Sequence, residues 1–109
     1  EVVVPAFEGE IGILKDHIPI ISFLKPGIVK IFIGTEQENY YVEDGIVEFK
    51  DNSLSILTSS IFNLKDIDKN YINNSILEAE KELNKEEIDD QKRFLLNHKV
   101  EVLKSLSIN

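Results

Sequence analysis

The chain has no cysteine. Disulfides, thiolate metal sites and cysteine nucleophiles are therefore excluded, and redox chemistry says nothing about its compartment. It has no apolar run approaching the roughly 20 residues that cross a bilayer, and no signal-peptide pattern opens it. Positive charge is scarce: 12 Lys and Arg stand against 20 Asp and Glu, for a formal net charge of −8. Phosphate binding needs clustered cations, so nucleic acid is a poor partner. An anionic membrane surface is equally unfavourable. The plain reading of this balance is a solvated surface kept apart by repulsion. Histidine is limited to His17 and His98, and the H-E-x-x-H, P-loop, G-x-S-x-G and G-x-G-x-x-G patterns are all missing.

What is present suffices for a small core. The chain has 109 residues, 42% of them apolar, which fits one domain or one small domain with an appendage. So short a chain has a small stability surplus, and partner binding can matter to it. It opens Glu1-Val2-Val3-Val4-Pro5, without Met and already in a β-branched strand pattern. The expectation is a fragment or processed chain that lacks N-terminal sheet partners.

The pattern up to about residue 62 is β. Val2-Val3-Val4 reads as a strand ended by Pro5, and Gly9 and Gly12 bracket Glu10-Ile11 as turn glycines. Residues 18–24 are mostly apolar, and Lys25-Pro26-Gly27 reads as a turn. Ile28 to Ile33 forms a strand, 34–39 a polar hairpin loop, and Tyr40-Tyr41-Val42 the return. Asp44-Gly45 is another turn signal. Ile46-Val47-Glu48-Phe49-Lys50 then alternates in period two, Asp51-Asn52-Ser53 turns, and Leu54-Ser55-Ile56-Leu57 alternates again. Short strands at this spacing predict an antiparallel sandwich or barrel.

Beyond that point the period becomes helical. Asp66 and Asp68 are candidate N-caps. Ile72, Ile76, Ala79 and Leu83 recur on one narrow stripe, suited to a helix that packs on a single neighbour. Glu86, Glu87, Asp89 and Asp90 crowd the next N-terminus, while Lys99 and Lys104 lie toward the other end, as a helix dipole prefers. Ile88, Leu95, Val102 and Leu106 share one face, with Leu96, Val100 and Leu103 beside it. A short link between two such helices predicts an antiparallel αα-hairpin. The expected fold class is mainly β plus α: an N-terminal antiparallel β-sandwich over residues 1–64, then a C-terminal antiparallel two-helix hairpin over 65–109.

Candidate chemistry is thin. Glu8, Glu10, Asp16 and His17 are the best acid/base or metal grouping, since carboxylates and an imidazole can hold a divalent ion. A single His with loop acids is more often a polar rim. Gly9, Gly12 and Gly27 lack the Lys, Thr and helix start that a phosphate cradle needs, and read instead as tight turns requiring positive φ. His17, between Asp16 and an apolar run, fits a hydrogen-bonded structural or interface residue. Lys92 and Lys99 fall inside the arc of Leu95, Leu103 and Leu106. A buried Lys is costly unless paired. Either the stems snorkel along the surface, or the helix can leave its hairpin to meet an acidic partner.

The segment Glu8-Gly9-Glu10-Ile11-Gly12-Ile13-Leu14-Lys15-Asp16-His17-Ile18-Pro19 resembles the epsilon subunit of the F-type rotary ATP synthase, called delta in mitochondria, whose pattern here is E-G-E/D-x-G-[IV]-L-P-G-H-x-P. The likeness continues through the turn Leu24-Lys25-Pro26-Gly27, the strand that follows it, and the order of β body before helical hairpin. It spans essentially the whole chain. Three departures stand out. Lys15-Asp16 replaces the Pro-Gly before the His, and Glu43-Asp44-Gly45 replaces a Ser-Gly-Gly turn. The family's first strands, upstream of Val2, are absent, which leaves an expected open sheet edge.

The resemblance implies a non-catalytic chain with no active site, no cofactor and no metal. It implies a central-stalk rotor subunit that couples proton flow to ATP synthesis. Its partners are the gamma subunit, the polar loops of the c-ring, and the alpha and beta catalytic subunits through the helical tail. No membrane insertion of its own is implied, only a peripheral place in the F1 sector on the cytoplasmic face of the bacterial inner membrane. The c-ring patch carried over is Glu8, Gly9, Glu10, Ile11, Gly12 and His17, with Glu10 at its centre. Lys92, Arg93, Lys99 and Lys104 are the tail contacts that would regulate ATP hydrolysis. Some members bind ATP through I/L-D-x-x-R-A. Here Ile67 and Asp68 match, but Tyr71 replaces the Arg and Ile72 the Ala, so little or no ATP binding is expected. Two other readings are a generic sandwich-and-hairpin adaptor of another complex, and a small metal-dependent enzyme built on Glu8, Glu10 and His17.

Overall fold

The structure is a computed structural model that describes residues 1–107. Eight strands precede two helices: β1 Val2–Ala6, β2 Gly9–Ile13, β3 Ile20–Leu24, β4 Gly27–Ile33, β5 Glu36–Val42, β6 Gly45–Lys50, β7 Ser53–Leu57, β8 Ile61–Asn63, α1 Lys69–Leu83 and α2 Asp90–Ser107. The chain divides into two compact units, Glu1–Lys65 and Asp66–Asn109.

The β unit is antiparallel throughout, in the order β7-β6-β3-β1-β4-β5-β8, with β2 paired to β1. The strand β1 joins the two halves of this sheet. One of its edges is occupied by β2 along its whole length, Val2↔Ile13 to Ala6↔Gly9. The other is shared, with Ala6 opposite Leu24 of β3 and Val2 and Val3 opposite Ile31 and Lys30 of β4. The sheet therefore folds over at β1 into two halves, and Val4, Ile13, Leu24, Val29, Val42, Val47 and Phe49 fill the space between them. Alternation places them there: Val47 and Phe49 point inward from β6 while Ile46, Glu48 and Lys50 point out.

Several sequence expectations need adjustment. Pro5 does not end its strand. It is buried within β1, and its carbonyl accepts from Lys25 N–H at 3.0 Å; a residue without an N–H is tolerated where the ladder on that side is interrupted. Of the three glycines read as turns, Gly9 alone has a positive φ, at 137°. Gly12 is a strand residue of β2, and Gly27, buried, heads β4, where a Cβ would come within 2.6 Å of Pro5 Cβ. The third strand starts at Ile20, leaving Ile18 and Pro19 exposed ahead of it. The loop expected over 34–39 shrinks to Gly34-Thr35 because β5 already begins at Glu36. The turn at Asp51-Asn52 has both residues left-handed, φ 52° and 59°, the geometry of a tight hairpin.

In the helical unit Asp68 caps α1, its Oδ1 accepting from Asn70 N–H at 2.9 Å. Asp89 serves α2 similarly, accepting from Lys92 N–H at 2.7 Å. The helices pack together through Ile72, Ser75 and Ala79 on α1 and Val100 and Leu103 on α2. The row with Val100 and Leu103, expected beside the main face, is the more deeply buried one; Leu95, Val102 and Leu106 are half-buried. Among the described residues no helix is long and apolar enough to cross a membrane.

Candidate docking surface

The β1–β2 hairpin presents Glu8, Gly9, Glu10, Ile11 and Gly12 together. Glu8 is exposed at the turn, and the φ of 137° at Gly9 makes that turn possible. Pleating sends Ile11 and Ile13 toward the core and Glu10 and Gly12 outward. Glu10 is held by one weak contact, with Lys30 Nζ 3.8 Å from its Oε2, both side chains exposed. Its carboxylate stays available on a rigid support.

His17 lies apart from the Glu8 end of that group. It lies beyond the opposite end of β2, and the five residues Gly9–Ile13 between span about 16 Å. Its loop is pinned elsewhere. Asp16, with φ 65°, donates its N–H to Asn52 Oδ1 at 2.7 Å, and Asn52 Nδ2 returns a bond to Asp16 Oδ1 at 3.1 Å. The His17 Nδ1 lies 2.7 Å from the Ile18 carbonyl, and its ring meets Phe49 edge-on at 6.1 Å. Leu14 and Ile18, both exposed, flank it. The expected patch therefore runs the length of β2, with Glu8 and Gly9 at one end, Gly12 near the other, and His17 beyond it. The same separation removes the geometry for an acid/base or metal centre of Glu8, Glu10 and His17. Among the described residues no group of three or more His, Cys, Asp or Glu side chains is placed to hold a metal ion.

A third surface escaped the sequence reading. Phe23, Ile46 and Leu57 stand in one row across β3, β6 and β7, and Ile21 sits beside them opposite Glu48. Ile21, Phe23 and Leu57 are 68, 65 and 74% exposed. Neighbouring exposed apolar side chains on a folded body mark an interaction site more often than chance. The signal was legible: β3 is apolar at both inward and outward positions, whereas a strand with one wet face alternates.

On the hairpin, Lys85 Nζ lies 2.7 Å from Glu82 Oε1 and Lys92 Nζ 3.3 Å from Glu82 Oε2. Lys85 first, then Lys92, holds the Glu82 carboxyl below its usual range. Lys104 Nζ is 3.9 Å from Glu80 Oε2, and Arg93 Nη1 donates to the Leu83 carbonyl at 3.5 Å. Lys99 is half-buried. At the partial nucleotide motif, the Asp68 carboxylate is occupied in capping α1 and Ile72 is buried.

The β unit matches the family model described as ATP synthase, Delta/Epsilon chain, beta-sandwich domain, over residues 1–64. The chain belongs to the ATP synthase delta/epsilon chain family. It is 64% identical over 107 residues to the ATP synthase epsilon chain of Pelagibacter ubique, covering 98% of this chain and 82% of that one. It is 43% identical over 79 residues to the epsilon chain of Leptospira interrogans, covering 72% of this chain and 62% of that one. Among solved structures, the Euglena gracilis mitochondrial ATP synthase OSCP/F1/c-ring assembly contains a chain with a TM-score of 0.71 and 23% identity, covering 98% of this chain and 67% of that one. The Tetrahymena thermophila mitochondrial ATP synthase central stalk/c-ring contains another, with a TM-score of 0.62 and 11% identity, covering 97% of this chain and 80% of that one. The fold is shared with both. Epsilon chains are non-catalytic subunits of the ATP synthase complex, and this chain is of that kind.

Proposed function

We propose that this chain is a central-stalk rotor subunit that binds gamma and the c-ring and so helps couple proton flow to ATP synthesis. The observation that carries the reading is the match to the Pelagibacter epsilon chain over 98% of this chain, through both units. Glu8, Gly9, Glu10 and Gly12 form the c-ring contact, with Ile11 packed beneath them against the core and the Glu10 carboxylate meeting a polar loop from a backbone that loses little freedom on docking. His17 adds a separate contact flanked by Leu14 and Ile18. The face of Ile21, Phe23, Ile46 and Leu57 fits gamma, since burying large apolar side chains is the main source of affinity in a subunit interface. Lys92, Arg93, Lys99 and Lys104 reach acidic residues of gamma or of the alpha and beta subunits and restrain ATP hydrolysis. The chain holds no tight ATP site, because Tyr71 and Ile72 replace the cation and small residue such a site needs. It works peripherally, in the F1 sector at the cytoplasmic face of the bacterial inner membrane.

A pull-down with purified gamma and detergent-solubilised c-ring tests this. Wild-type chain should retain both. Phe23→Ser with Leu57→Ser should leave the fold intact, because both side chains face solvent, and should weaken gamma binding roughly a hundredfold. Glu10→Gln should weaken the c-ring interaction and spare gamma. Unaltered gamma affinity in the first variant, or an unaltered c-ring interaction in the second, sinks the assignment of that surface.

A further inference from the structure

The tail cations named above already have partners. Within the hairpin, Lys92 is held by Glu82 and Lys104 by Glu80, both carboxylates belonging to α1. We propose that Glu80 and Glu82 are internal stand-ins for a partner's acidic residues, so that the folded hairpin and the partner compete for Lys92 and Lys104. The proposal rests on the reading that the tail binds acidic residues of the ATP synthase.

The geometry suits exchange rather than permanent closure. Lys92, Lys104 and Glu80 are solvent-exposed, Glu82 is half-buried, and the distances are 3.3 and 3.9 Å. Such pairs are weak and screened by salt. A partner carboxylate in a drier setting would outbid them electrostatically, since the same charges attract more strongly at lower dielectric. The apolar contacts of Ile72, Ala79, Val100 and Leu103 hold the hairpin independently of these charges, so the ion pairs bias its opening without deciding whether it folds. Glu82 is the stronger of the two stand-ins, because Lys85 also grips it and fixes its position at the end of α1.

The absence of cysteine makes the test clean. Spin labels on Asn73→Cys and Ser105→Cys, both at exposed positions, report helix separation in the full chain by pulsed EPR. Glu80→Gln with Glu82→Gln should raise the separated population roughly fivefold. Glu78→Gln with Glu101→Gln, the same charge change at other exposed positions, should not. In a reconstituted F1 sector the first pair should deepen inhibition of ATP hydrolysis. An unchanged distance distribution overturns the proposal, as does opening of equal size in both pairs. Hydrolysis unaffected by the first pair, in a complex whose hydrolysis does respond to removal of the helices, overturns the competition alone. Hydrolysis indifferent to removal of the helices overturns the regulatory reading beneath it.

Discussion

Gly9 and Gly45 share a φ of 137° but not the same surroundings. At Gly9 a Cβ would meet open space, whereas at Gly45 it would run into the Leu57 carbonyl oxygen and lie 3.1 Å from Thr58 Cβ. Alanine at either position bears the strain of a left-handed torsion, about 1–2 kcal/mol. At Gly45 it must also displace the backbone of the next strand. Gly45→Ala should therefore cost about 3 kcal/mol or more, and Gly9→Ala only about 1 kcal/mol. Urea unfolding of the two variants decides it; equal losses would mean that the close approach of β7 to Gly45 is not a constraint. The neighbouring Asp44 accepts from Ser59 Oγ at 2.9 Å and from Thr58 Oγ1 at 3.3 Å, tying the same two turns together. In sequence, Gly9, Gly12 and Gly27 look alike as turn glycines, yet only Gly9 of the three has a positive φ. A glycine shows its permissiveness in sequence, and the reason for it, torsion or close approach, appears only with the neighbour in place.

At the scale of elements, legibility followed burial on two faces. β6 and β7 were readable because each has one wet face and one dry, so period two survives in the residues themselves. The short β8 was missed because three residues carry too little pattern, and β2 because its glycines outweighed its two isoleucines. The outer apolar face on β3 is present in the residues, as a mostly apolar stretch over 18–24, but a run without alternation does not say which side chains face out. Helix caps were the clearest local signal, since a carboxylate at an N-terminus satisfies free N–H groups wherever the helix goes. Asp68→Ala and Asp89→Ala should each cost about 1 kcal/mol of helix stability, whereas Asp66→Ala should be nearly neutral because Asp68 holds the cap. Thermal unfolding followed by far-ultraviolet circular dichroism measures this, and an Asp66 effect as large as that of Asp68 would move the start of α1. The c-ring patch shows the complementary lesson. Glu8 to Gly12 lie along one hairpin because they are contiguous, while His17, five residues past Gly12, falls beyond the end of a strand that the glycines hide, a strand's length from Glu8.

At the scale of the whole chain, the two compact units have separate cores. Val4, Ile13, Leu24, Val29, Val42, Val47 and Phe49 all lie before Lys65, and Ile72, Ala79, Val100 and Leu103 all lie after it. The surfaces proposed for gamma and the c-ring belong to the first unit, and the cations proposed for regulation belong to the second. Division of cores implies division of labour, and a cut after Lys65 separates the two. Residues 1–65 alone should unfold cooperatively, because no side chain of their core cluster comes from beyond the cut. They should bind gamma with unchanged affinity. The ATP synthase assembled with them should keep proton-coupled synthesis and lose the restraint on hydrolysis. A truncated chain that fails to bind gamma while remaining folded by circular dichroism would transfer docking to the helices, and with it the meaning of the exposed row Phe23, Ile46 and Leu57.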